Sequence, residues 1–249
     1  FDAQAAAVNE ARKGIAHLLH TAKRTNQPIA ILHSQSSLHA TKAYSDAGAQ
    51  SGTWAAFQYI FEDMGVGYRY VKSRDVADGL VTPSNAKVLV LPYAICLPDD
   101  VIRGIRDFAA KGGTLLADIR PAMLDAAGNY KGKGALDDVF GIERIGDGPL
   151  QAAEVGGLGP LNTDPFVKAK KESAAAWSDA TPVGVHQHWR KGQAILMNFT
   201  AADYGAQFTA NDFSLAQYKA DFNIRHEIRK LLQKQLQDVV QPITRITPS

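Results

Sequence analysis

Few side chains in this 249-residue chain have the spacing that chemistry requires. A nucleophile in an α/β protein sits on a strained strand-to-helix elbow flanked by small residues, with a base beside it to take its proton. Cys96 follows an apolar strand, but its context is Tyr93-Ala-Ile-Cys-Leu-Pro98, with no glycine on either side. That context reads as a buried, inert thiol. Ser34, Ser36 and Ser37 also lack an elbow. His186 and His188 stand two apart on a predicted strand, so both rings project from one face and could offer two corners of a metal site. No third ligand is evident, and the pair reads as strand histidines beside Trp189.

Asp99-Asp100 and Asp137-Asp138 are adjacent pairs. Neighbouring carboxylates on a helix point apart, whereas glycosidic cleavage needs two carboxyls about 5 to 9 Å apart across a substrate. Gly156-Gly-Leu-Gly-Pro160 precedes no helix and its proline removes a donor, so it is not a phosphate cradle. The residues therefore nominate no catalytic group, no metal site and no cofactor.

One stretch has the chemistry of recognition. The segment from His33 to Gly52 reads as a polar loop holding Ser34, Gln35, Ser36, Ser37, His39, Tyr44 and Asp46, and it runs into Trp54. Aromatic rings stack on the apolar faces of sugars while hydroxyls and amides bond their hydroxyl groups. At roughly 20 residues the segment exceeds a plain connector. His33 ends a strand at the carboxyl edge of the predicted sheet, where open α/β folds bind ligands. His33, Ser34, Ser37, Tyr44 and Trp54 are the candidate ligand or interface residues. A plain surface loop is the alternative, and Trp54 itself reads as core, on the Phe57, Phe61, Met64 stripe.

The elements that would hold these residues are legible as short apolar runs separated by amphipathic ones. Ile29-Ala-Ile-Leu32, Tyr68 to Val71, Lys87 to Pro92 and Thr114 to Ala117 read as strands. Thr53 is placed to cap a helix that Gly65 ends, and Pro98 to open another whose inward face is Val101, Ile102, Ile105 and Phe108, closed by Gly112-Gly113. Val183 to Trp189 and Gln193 to Phe199 read as a hairpin turning at Arg190-Lys-Gly192. A last helix carries Ile224, Ile228, Leu231, Leu232, Leu236 and Val239 on one face. Strands apolar on both faces and separated by helices predict an α/β, doubly wound, mostly parallel sheet with a late β-hairpin and flanking helices.

Residues 1–26 read as a leading helix, 27–240 as the α/β domain with a loop-rich insertion at 121–180, and 241–249 as the start of a following segment. The start at Phe1 and the extended Gln241-Pro-Ile-Thr end predict a piece of a longer protein. With 27 basic and 25 acidic residues, the net charge of +2 is too small for a phosphate-binding surface, which argues against nucleic acid. No apolar run reaches the roughly 18 to 20 residues of a membrane span. The single cysteine excludes an internal disulfide and leaves the compartment open.

Ile29-Ala-Ile-Leu-His-Ser34, the polar loop, the Trp-bearing helix, Leu89-Val-Leu-Pro92, Leu97-Pro-Asp-Asp100 and Ala110-Lys-Gly-Gly-Thr-Leu115 together resemble the β-galactosidase trimerisation domain. This is the glutamine-amidotransferase-like, flavodoxin-like module of family 42-type glycoside hydrolases. Trp189-Arg-Lys-Gly-Gln-Ala-Ile-Leu-Met-Asn-Phe199 resembles its late glycine-turn hairpin. The resemblance implies a non-catalytic accessory and oligomerisation domain that follows a catalytic (β/α)8 barrel. Its partners would be further copies of itself or that barrel, with carbohydrate as another, and no cofactor. Two rival readings are an amidotransferase-like hydrolase using Cys96 or a loop serine, and a carbohydrate-binding module around Tyr44 and Trp54.

Overall fold

The computed structural model describes residues 2–14, 16–17, 27–43, 49–130, 132–154, 160–171, 173–175, 184–205 and 215–240. Strands β1 (Ile29–His33), β2 (Tyr68–Lys72), β3 (Val88–Leu91) and β4 (Thr114–Ala117) pair in parallel in the order β2-β1-β3-β4. β10 (Val185–Trp189) and β11 (Gly192–Leu196) form the expected hairpin, and β11 joins β4 in parallel. The two-residue β9 (Ala174–Ala175) closes a seven-stranded sheet on the far side of β10. The fold is the mostly parallel, doubly wound α/β architecture that the apolar runs predicted.

Helices cover both faces, which is why the inner strands are buried on both sides. On one face lie α4 (Ser73–Ala77) and α5 (Asp99–Ala110), whose Val76, Val101, Ile105 and Phe108 pack against Leu89, Leu91, Leu115 and Leu196. On the other lie α3 (Ala49–Asp63), α6 (Ala202–Gly205) and α7 (Leu215–Leu236), with Phe57, Phe61, Ile228 and Leu232 against Ile29, Ile31, Val90 and Leu116. Pro98 precedes the first turn of α5 rather than occupying it; its carbonyl accepts the N–H of Ile102 at 3.0 Å.

Three expectations change. The polar segment after β1 is not a long loop: α2 (Gln35–Ala43) fills most of its first half, and α3 begins at Ala49. Thr53 therefore lies inside α3, buried, with its hydroxyl 3.4 Å from that of Thr200, and caps nothing. The leading helix α1 (Asp2–Lys13) buries none of its residues, and Val8 is 57% exposed, so its apolar stripe does not pack on this domain within the described span.

The insertion after β4 contains short antiparallel pairs, β5 (Ile142–Arg144) with β8 (Val167–Ala169), and β6 (Gln151–Glu154) with β7 (Pro160–Thr163).

Candidate functional site

In the order β2-β1-β3, the chain leaves β1 toward one side and returns on the other, so the carboxyl ends of β1 and β3 flank the switch point. Open sheets of this kind hold their ligands there. In this protein the position is filled from within. Ser34 caps α2 by accepting the N–H of Ser37 at 3.2 Å. The next turn then aims its hydroxyls at the loop after β3: Ser36 and Ser37 donate to the Cys96 carbonyl at 2.8 and 2.7 Å. Ser37 also accepts the Cys96 N–H at 3.1 Å. Ser34 and Ser37 are thus buried and engaged with backbone. The Cys96 thiol is buried too, donates to the Asp125 carbonyl at 3.0 Å, and is raised above its ordinary pKa chiefly by that burial. Its burial agrees with the context of the sequence.

An elbow in the chain does follow β3, three residues earlier, although α5 begins only at Asp99. Tyr93 follows β3 with φ 39°, the left-handed conformation a nucleophile elbow uses, but its ring is buried in the small cluster with Ile95, Ile119 and Met123. The elbow is held by Asp118 at the carboxyl end of β4. That fully buried carboxyl accepts the Tyr93 N–H at 2.7 Å and the Ala201 N–H at 3.3 Å, joining the ends of β3, β4 and β11. Desolvation raises its pKa to about 7, against the backbone donors that favour the charge.

Beyond Asp118 the insertion seals the edge. Arg120 (φ 49°) bonds Asp164 at 3.2 Å and also donates to the Gly148 carbonyl. Arg144 from β5 reaches the same Asp164 oxygen at 2.7 Å and Asp137 at 3.3 Å. Burial holds Asp137 above its ordinary pKa although Arg144 opposes this. Two guanidiniums and two carboxylates, each less than a tenth exposed, neutralise one another where a substrate cleft would open. Sequence reasoning missed these residues apart from Asp137, which it weighed only as half of an adjacent acidic pair. The elbow lacks the glycines that mark one, and Asp118 and Arg120 sit among buried apolar neighbours with no pattern to distinguish them.

Outside this plug, His33 and Trp54 come together. Their ring centroids are 4.3 Å apart at 35°, and both residues are half-buried. Trp54 lies off the buried stripe of α3, which runs through Thr53, Ala56, Phe57, Ile60, Phe61 and Met64, so it is not a core tryptophan. Tyr44 lies outside the described residues. His186 and His188 do share a face, with centroids 5.3 Å apart, but His186 Nε2 is 2.9 Å from the Gln193 amide oxygen. Among the described residues no group of three metal-ligating side chains assembles. No described helix is long and apolar enough to cross a membrane.

No family model and no curated protein sequence matches this chain. Solved structures do. A catalytic mutant of Gan42B, a GH42 β-galactosidase from G. stearothermophilus, superimposes with a TM-score of 0.67 at 16% identity, over 96% of this chain and 34% of that one. The β-galactosidase from Bacillus circulans sp. alkalophilus gives 0.65 at 16% identity, over 94% and 35%. The exo-β-1,4-mannosidase Op5Man5 from Opitutaceae bacterium strain TAV5 gives 0.57 at 14%, over 90% and 38%. This chain therefore spans about a third of these glycoside hydrolases and has the fold of that third.

Proposed function

We propose that this chain is a non-catalytic accessory domain of a larger glycoside hydrolase, serving subunit assembly and the shape of the entrance to a neighbouring catalytic site. The observation that carries this reading is the occupied carboxyl edge: the serine–Cys96 clamp, the buried Tyr93 elbow and the Arg120–Asp164–Arg144 network stand where this architecture otherwise holds substrate. A buried tyrosine at the elbow, a thiol bonded to a carbonyl and serines bonded to Cys96 weigh against the amidotransferase-like reading. The fold shared with one third of longer glycosidases supports the same reading. The His33–Trp54 pair is the ligand or interface element that remains half-open, and we assign it to contact with the adjoining barrel or a second subunit.

The test is the solution mass of the chain across a range of concentrations, by light scattering during size exclusion, beside a hydrolysis assay on chromogenic galactosides. Self-association without turnover is the expected result. A monomer near 26.9 kDa throughout argues against the assembly role. Turnover abolished by Cys96→Ala overturns the reading.

A further inference from the structure

A groove of about 380 Å³ lies along the flank of α5, beside the core residue Ile102, between that helix and the turn of the β10–β11 hairpin. Its walls carry Asp99, Arg103, Arg106 and Asp107 from successive turns of the helix, and Trp189 and Arg190 from the hairpin. The two walls are held close together. Gly192 brings the hairpin so close to the end of α5 that a Cβ there would stand 2.4 Å from the Ala109 carbonyl oxygen. Arg106 is fixed over the Trp189 ring at 5.6 Å by two bonds to Asp138, at 3.0 and 2.6 Å, and a third to the Ala135 carbonyl at 2.7 Å. Arg190 holds a left-handed backbone, φ 52°, as the two-residue turn of the hairpin favours.

We propose that this groove binds a neutral oligosaccharide. Asp99, Arg103, Asp107 and Arg190 line it and make no side-chain hydrogen bond or ion pair among the described residues. Their signs alternate, which selects the ligand. A phosphate or carboxylate would meet Asp99 and Asp107, and an amine would meet three guanidiniums. A hydroxyl both donates and accepts, so a polyhydroxylated neutral ring satisfies carboxylates and guanidiniums together. Trp189 packs on the core and lies under Arg106, and the part of its ring left open to the groove supplies an apolar contact for a sugar ring. The volume falls within the roughly 300 to 1,000 Å³ of small-molecule sites. This site is separate from the His33–Trp54 pair and does not depend on the assembly role.

The experiment follows the tryptophan indole N–H resonances of the full chain by NMR during titration with lactose and cellotetraose, with inorganic phosphate as control. Trp189→Phe assigns the resonance. Saturable movement of the Trp189 signal by the sugars is expected, with affinity weakened at least about tenfold by Asp107→Ala and by Arg103→Ala. Both substitutions are on the exposed face of α5, so they spare the fold. A Trp189 signal unmoved by either sugar, movement by phosphate alone, or unchanged affinity in both variants overturns the proposal.

Discussion

Ser37 and Cys96 are joined by two hydrogen bonds through a single hydroxyl: Ser37 Oγ accepts the Cys96 N–H at 3.1 Å and donates to the Cys96 carbonyl at 2.7 Å. Ser37→Ala strands a buried N–H and removes one donor from the carbonyl. The expected cost is about 1 to 3 kcal/mol in urea unfolding. The loop after β3 loosens with it, so Cys96 should react faster with a thiol reagent than in the parent chain. An unchanged rate would show that the clamp does not hold that loop.

Asp118 should impose a pH dependence on stability. Folding raises its pKa from 3.8 to about 7, so between those values the native state keeps a proton that the unfolded chain has released. The contribution is full below about pH 4 and is lost as pH rises through 7, with a slope of up to about 1.4 kcal/mol per pH unit. Asp118→Asn removes that slope. Chemical denaturation at a series of pH values, parent against variant, reads the difference, and parallel curves would refute it.

Asp164 holds two arginines at once. Asp164→Ala takes a buried carboxylate from both Arg120 and Arg144, and the expected loss is about 3 to 5 kcal/mol. Loss of that size by denaturant titration, with protease cutting first inside 121–175, is the outcome anticipated from its position as the anchor of the insertion.

Gly192→Ala tests the closeness of hairpin and helix. Its Cβ would meet the Gly113 carbonyl oxygen at 2.3 Å and that of Ala109 at 2.4 Å, both backbone atoms that cannot swing aside. A drop of about 1 to 3 kcal/mol is expected from overpacking of this kind. A melting temperature equal to the parent's would mean that the two elements separate easily.

The central architecture was readable because its signals are local. Ile29 to Leu32 and Val88 to Leu91 are continuous apolar runs, and Gly65 ends α3 in the left-handed conformation a helix terminus needs, with φ 65°. The hairpin was marked by its polar turn. Helix α2 was missed because Gln35-Ser-Ser-Leu-His-Ala-Thr has weak helical propensity, and its stability comes from Ser34 at the cap and from bonds to Cys96, some 60 residues away. The candidate site was half legible. His33 and Trp54 were named separately, but their stacking required the registration of β1 against α3. Arg120, Arg144 and Asp164 carry no local signal, since their partners stand 7 to 44 residues distant.

The insertion departs the main sheet at the end of β4 and rejoins it at β9, three strands across. The scaffold therefore pins both roots of that excursion about 14 Å apart, whatever lies between them. Doubling the length of a tethered excursion adds only about 0.6 kcal/mol of closure entropy. Descendants of this chain can accordingly lengthen, trim or exchange the lid over the carboxyl edge while the sheet beneath keeps its register, provided the exchanged piece still brings an acid to meet Arg120.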